Sequence, residues 1–381
     1  MTDVFLVGSK GIPARYGGFE TFVENLTAGK TDPSIRYHVS CMNQEEKHFA
    51  YHEADCFNVK VPVPGAPGRI LHVSRVLRQV EQWIKENNPE NVIVYILGCR
   101  VGPLLYLHAS RLRKYNVRIF VNPDGLEWKR AKWNALAKKI LRYCEACLVK
   151  NADLVVCDSQ NIEKYIQDTY PAKARATTFI AYGADVIRST CLEEKLQSWY
   201  GKFGLQSGEY YLIVGRFVPE NNYETMLIEF MRSNTKKDLV VITNVEQNKF
   251  YKALSEKTGF EKDLRIKFVG TVYDQELLKK IREEAYGYIH GHEVGGTNPS
   301  LLEALASTRV NLLLNVGFNQ EVAEKSALYW SKQPGSLAKL VEEADHLTGE
   351  DRTRLGEGAV SRVKDFYNWK SICRQYEELF K

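Results

Sequence analysis

The 381-residue chain holds no window near the ~18 to 20 uninterrupted apolar residues that a membrane-spanning helix needs. Its eight cysteines make no disulfide framework. The one close pair, Cys144-x-x-Cys147, sits in a helical pattern with no second Cys or His pair at metal-ligand spacing, so a structural role is expected and no metal. The opening Met-Thr-Asp-Val-Phe lacks a basic stretch and runs into a strand, so no signal peptide is expected and the protein is placed in the cytoplasm, any membrane contact being peripheral. No Walker pattern occurs, and Gly8 with Gly11 misses the spacing of a dinucleotide fingerprint. Charge of one sign is scarce as well, the net value being +5. Residues 1–187 carry 25 basic against 19 acidic side chains and the remainder 27 against 28, so the first half is the one to face an anionic partner. Nucleic acid is not expected as that partner, because no recognisable module accompanies the charge.

What is present is a regular alternation. Short β-rich runs at Val4–Val7, Tyr37–Cys41, Val92–Leu97, Val117–Val121, Leu154–Cys157 and Thr177–Ala181 alternate with helical patterns. A second series follows at Tyr210–Val214, Leu239–Thr243, Ile266–Val269, Tyr288–Ile289 and Asn311–Asn315, after a mostly helical and polar segment, Ala184–Gly208, taken as the linker. The fold class expected is α/β, two Rossmann-like domains facing each other across a cleft, at 1–187 and 188–365. Residues 366–381 make an amphipathic helix that either caps the second domain or returns to the first.

Two strand–glycine loop–helix junctions stand out. In the second half, His290-Gly-His292-Glu293-Val-Gly295-Gly296-Thr297-Asn298-Pro299 ends a strand, crosses a glycine loop and starts a helix that carries Glu303 one turn in. Glycines admit close backbone approach, Asn298 and Pro299 suit the N-cap and first helical position, and the helix start favours an anion. A tight turn with a surface glutamate accounts for the same residues. In the first half, Val7 leads into Gly8-Ser-Lys-Gly11-Ile-Pro13-Ala-Arg15-Tyr16-Gly17-Gly18 and then a helical pattern at Phe19, Phe22, Val23 and Leu26.

Gly17-Gly18, Gly215-Arg216-Phe217-Val-Pro-Glu220 after a strand and Ser300-Leu-Leu-Glu303-Ala-Leu-Ala stand in order, with Tyr182-Gly183-Ala184-Asp185 near the domain junction and the tryptophan-bearing last helix beside them. Together they resemble the family 4 retaining glycosyltransferases of the GT-B fold over nearly the whole chain. The first glycine loop and Val-Gly-Gly-Thr-Asn-Pro-Ser look like a narrower group, the bacterial β-1,4-rhamnosyltransferases of cell-wall and capsule assembly. The resemblance implies dTDP-L-rhamnose as donor and a lipid diphosphate-linked sugar as acceptor. It puts Arg216 on the donor diphosphate, where a planar guanidinium matches phosphate oxygens, and Glu303 on the nucleotide ribose. Two departures stand out: Asn221 replaces a usual lysine five residues after Arg216, and Gly295 replaces a usual glutamate eight residues before Glu303. Glu293 and His292 are the neighbours able to substitute.

The donor set is therefore Arg15, Gly17, Gly18, Arg216, Asn221, His290, His292, Gly295, Gly296, Thr297, Asn298 and Glu303. Arg216 also belongs to the chemistry, since it can stabilise charge on the leaving diphosphate. Asp124 and Glu127, in Val121-Asn-Pro-Asp124-Gly-Leu-Glu127-Trp128, and Asp158 follow strands and are the carboxylates expected in the cleft, although the two aspartates equally suit turns and caps. From Trp128 to Tyr143, Trp128, Lys132, Trp133, Lys138, Lys139 and Arg142 recur at helical spacing, which suits an anionic membrane interface or a solvated basic face. Two other readings stay open, a family 4 transferase for another nucleotide sugar and a non-catalytic sugar-nucleotide or glycan-binding module.

Overall fold

Thr2–Val7 (β1) is buried at all six positions, the mark of a central strand covered on both faces. The computed structural model describes residues 1–14, 17–43, 45, 47–61, 63, 65–244 and 249–381. These divide into two units, 1–183 with 369–381, and 184–368.

In the first unit β1 is joined by β2 (Ile35–Met42), β3 (His48–Tyr51), β4 (Ala54–Val59), β5 (Asn91–Leu97), β6 (Arg118–Asn122), β7 (Leu154–Cys157) and β8 (Thr177–Phe179). The order is β3-β4-β2-β1-β5-β6-β7-β8, parallel except for the β3–β4 pair. The helices are α1 (Gly18–Ala28), α2 (Gly65–Asn87), α3 (Gly102–Leu112), α4 (Ala135–Asn151) and α5 (Gln160–Thr169). Side chains alternate across each strand: Val92, Val94 and Ile96 join the core under α2 to α5. Tyr95 points the other way, into an aromatic cluster with Phe22 of α1 and with Tyr376 and Phe380 of the C-terminal helix Trp369–Phe380.

The second unit has β9 (Tyr210–Val214), β10 (Asp238–Ile242), β11 (Ile266–Gly270), β12 (Gly287–His290), β13 (Val310–Leu314) and β14 (Leu328–Trp330), all parallel, in the order β11-β10-β9-β12-β13-β14. One core takes Tyr211 and Ile213, the other Tyr210, Leu212 and Val214. In both sheets the strand order reverses beside the first strand, between β1 and β5 and between β9 and β12. Ligands of open parallel sheets bind outside the carboxyl ends of such a pair.

Four features differ from the sequence reading. The segment Ala184–Gly208 is no free linker, because helix Glu193–Phe203 buries Leu196 and Tyr200 in the second core and Ser189 donates to the Glu283 carboxylate at 2.7 Å. The division falls after Gly183 and after Asn368, where 187 and 365 were expected. Strands β3, β4 and β14 were not expected at all. The run from Trp128 to Tyr143 is not one helix: a single turn at Glu127–Lys129 is followed by a break, and α4 begins at Ala135 with Asn134 as its N-cap, accepting from the Ala137 amide at 2.8 Å.

Candidate functional site

The loops that leave β9 and β12 meet at the carboxyl edge of the second sheet. A methyl group on Gly215 would stand 3.0 Å from the His292 ring, and one on Gly291 would be 2.4 Å from the Asn221 carbonyl oxygen, so both glycines are there because of close approach. The Ser300 hydroxyl donates to the Val214 carbonyl at 3.2 Å, and the Asn222 amide donates to the Gly291 carbonyl at 2.8 Å. Arg216 projects from this rim, exposed, and among the described residues its guanidinium has no carboxylate partner. Asn221 is buried, its amide donating back to the Arg216 carbonyl at 2.8 Å. The residue in the usual lysine position thus closes a turn.

Below the rim, His290 is 1% exposed and stacks on His292 with ring centroids 4.3 Å apart. The Tyr288 hydroxyl donates to the Val214 carbonyl at 3.1 Å, so at 3.2 Å from His290 Nδ1 its oxygen accepts, which places the His290 proton on Nδ1. Burial, with the neighbouring His292 charge, pushes the His290 pKa well down and keeps the ring neutral. Its Nε2, buried, has no hydrogen-bond partner among the described residues.

The glycine loop itself bends at Gly295, φ +146°, a region that side chains avoid. Gly296 and Thr297 are buried, and Asn298 caps helix Pro299–Ser307. The Asn298 carboxamide oxygen accepts from the Ser300 and Leu301 amides at 2.9 and 3.3 Å, so these two amides of the helix start are already satisfied. What the junction still offers an anion is the glycine loop and the helix dipole. Glu303 faces a partner that sequence reasoning missed: Arg282, only 4% exposed, meets its carboxylate at 2.5 Å. Glu293 is tied to Lys332 and to the Asn222 amide at 3.3 Å, which commits the carboxylate expected to replace the one missing at Gly295. Arg282 and Lys332 read as ordinary helix and turn charges in sequence, and only the fold brings them here.

In the first unit the glycine loop after β1 is packed against protein groups. A methyl on Gly8 would stand 2.3 Å from the Leu97 carbonyl oxygen and one on Gly11 2.4 Å from Cys41 Sγ. The Lys10 and Ala14 amides donate to the Glu20 and Glu24 carboxylates at 2.7 and 2.6 Å, which removes two donors from any anion. Gly17 (φ +134°) and Gly18 start α1, and Arg15 lies outside the described residues.

The carboxylates after β6 and β7 differ sharply. Glu127, 3% exposed, is held by Arg100 and Arg130, each at 2.6 Å, and by Lys132 at 3.3 Å. Burial acts to raise its pKa, but these three cations outweigh it and hold it low, so Glu127 is an ionised anchor. Asp124 adopts φ +63°, accepts from the Gly125 amide at 2.9 Å and pairs with Arg130 at 3.3 Å. Asp158, 4% exposed at the end of β7, neighbours Tyr182, whose phenol pKa is pushed far up by burial and by the Asp158 charge. Trp128 and Trp133 turn inward on the first core, with Arg142 over Trp128 and Lys132 over Trp133 at 5.3 and 4.8 Å. On α4, Lys139 is exposed and Lys138 half-buried. Among the described residues no cluster of three or more His, Cys, Asp or Glu can hold a metal, and no helix is long and apolar enough to cross a membrane.

Residues 1–185 match a family model described as a domain of unknown function, DUF1972. No curated protein matches the sequence. Solved structures match end to end. Sucrose-phosphate synthase from Thermosynechococcus elongatus aligns with a TM-score of 0.79 at 16% identity, covering 100% of this chain and 98% of that one. Anabaena HepE in complex with UDP and glucose aligns at 0.74 and 15%, covering 100% and 99%. A glycosyltransferase from Rickettsia africae aligns at 0.74 and 14%, covering 100% and 97%. The fold is that of the GT-B glycosyltransferases, as the resemblance implied.

Proposed function

We propose that this chain is a metal-independent, retaining glycosyltransferase that moves L-rhamnose from dTDP-L-rhamnose to a lipid diphosphate-linked sugar, GlcNAc-diphosphate-polyprenol, in bacterial surface polysaccharide synthesis. It works on the cytoplasmic face of the membrane. The observation that carries the reading is the junction of β9 and β12, where an exposed Arg216 with no carboxylate partner among the described residues, a glycine loop and a capped helix bearing Glu303 share one rim. A diphosphate on that rim meets a guanidinium and a helix dipole, and its ribose hydroxyls reach Glu303.

The chemistry asks little more of the donor side. The C1–O bond to the diphosphate breaks, a C1–O bond to the acceptor hydroxyl forms on the same face, and the hydroxyl proton passes to the leaving phosphate oxygen. Arg216 stabilises the charge that develops on that phosphate. Neutral His290, with the His292 ring stacked on it, lies beneath the rim on the side kept for the sugar. From the first unit, Asp158, buried just past the end of β7 beside Tyr182, is the carboxylate assigned to the acceptor step. The UDP and glucose of HepE favour a second reading, a transferase for another nucleotide sugar.

Arg216→Ala and Glu303→Ala should each lower turnover by about 30- to 1000-fold, the ~2–4 kcal/mol of one well-placed charged contact, with the fold intact by circular dichroism. Asp158→Asn should lose turnover while calorimetry finds donor binding retained. Near-normal turnover in folded Arg216→Ala and Glu303→Ala overturns the proposed donor site.

A further inference from the structure

Fourteen large apolar side chains are exposed among the described residues, and six of them lie on two neighbouring helices of 11 and 17 residues, α3 and α4. On α4, Leu136, Ile140 and Tyr143 are 67%, 53% and 63% exposed. Their spacing of four and three residues stacks them on one helix face, away from the buried Leu141, Cys144 and Leu148. On α3, Leu104, Tyr106 and Leu107 are exposed in the same way. The two helices touch backbone to backbone: a methyl on Gly102 would lie 1.9 Å from the Cys144 carbonyl oxygen.

The unburied charges on these helices have one sign. Arg111, Lys138, Lys139, Arg142 and Lys150 are the cations, and the sole carboxylate, Glu145, is 1% exposed and accepts from the Tyr165 and Tyr170 hydroxyls at 2.6 and 2.8 Å. A solvated helix face ordinarily mixes charges of both signs and keeps leucine and isoleucine inward. An apolar stripe whose own helices present only cations beside it matches the headgroup boundary of an anionic bilayer.

We propose that the outer faces of α3 and α4 form a bilayer-docking surface for anionic lipid, with Leu107, Leu136, Ile140 and Tyr143 entering the headgroup boundary and Lys138 and Lys139 on the phosphates. This deepens the membrane-peripheral part of the function proposed above and names the surface responsible. The tryptophans that the sequence offered for that task, Trp128 and Trp133, are packed inward and take no part.

The test uses the full chain and vesicles of phosphatidylglycerol with phosphatidylcholine, compared with phosphatidylcholine alone. Co-sedimentation should show binding to the anionic vesicles that falls as salt rises. The double variant Leu136→Ser/Ile140→Ser, at two exposed positions, should bind at least tenfold less while its melting temperature and its transfer to short-chain soluble acceptors stay at wild-type values. Tyr143→Trp should shift its emission to the blue on adding anionic vesicles. Absence of vesicle binding by the wild type, or equal binding by the double variant, overturns the proposal. A concentration-dependent dimer that the double variant abolishes, without vesicle binding, overturns it in favour of a second copy as occupant. If vesicle binding holds but no transfer occurs, the docking surface stands and the transferase reading falls.

Discussion

Arg282 shows how one side chain changes the reading of another. A glutamate placed one turn into a helix beside a glycine loop is legible from sequence, yet its orientation is set by a guanidinium 21 residues earlier, buried and 2.5 Å away. The hydroxyl of Thr308 donates to the Arg282 carbonyl at 2.9 Å and helps to fix its place. Arg282 is therefore a positioning residue for Glu303. Arg282→Met should weaken donor binding about tenfold, the ~1.4 kcal/mol of one charged hydrogen bond, and Arg282→Lys should recover part of it. In a Glu303→Ala background the same change should cost little, because the group that Arg282 positions is gone. Additive losses measured by calorimetry on the donor would show that Arg282 acts through the fold. Glu127 teaches the converse. A carboxylate after a strand looked reactive in sequence, but Arg100, 27 residues before it, with Arg130 and Lys132 turns it into an electrostatic anchor, a role that spacing alone does not reveal.

At the scale of elements, the strands read from the sequence are short apolar runs between turn residues. Of those missed, β3 and β4 mix polar and apolar residues, and β14 is only three residues long. The β3–β4 hairpin turns at His52 and Glu53, both at positive φ, where a readable hairpin carries Asn-Gly. The Trp128–Tyr143 run has helical periodicity throughout, yet Asn134 caps a helix starting at Ala135, and a local cap outweighs the pattern before it. The last helix was legible as amphipathic but not as to its berth. Its choice follows from fit: Tyr376 and Phe380 enter the aromatic cluster of the first unit, and the buried Glu377 carboxylate accepts from the Thr31 amide at 2.5 Å and the Asp32 amide at 2.9 Å. Phe380→Ala should thus destabilise the first unit by about 3–5 kcal/mol in denaturant unfolding. A loss under about 1 kcal/mol would mean the helix is an appendage and not part of that core.

At the scale of the whole molecule, two doubly wound units and the uneven charge were both visible before the fold was, because alternation of strand and helix and a count of charges need no tertiary information. The candidate rim was visible in part: the glycine loop, Arg216 and Glu303 were, whereas Arg282, Lys332 and the inward turn of Asn221 depend on residues brought together only by the sheet. The fold is shared with transferases that differ in substrate, so the sugar has to be read from turnover. The central claim is transfer of rhamnose from a nucleotide donor. The most direct measurement incubates the wild-type chain with dTDP-L-rhamnose and, in parallel, other nucleotide sugars, together with a short-chain GlcNAc-diphosphate-lipid, and scores product mass and nucleotide release. The account predicts one deoxyhexose added per acceptor, dTDP released in equal amount, and the anomeric configuration of the donor retained. Saturable binding of dTDP-L-rhamnose with no release of dTDP, and no product from any donor in the panel, would contradict it.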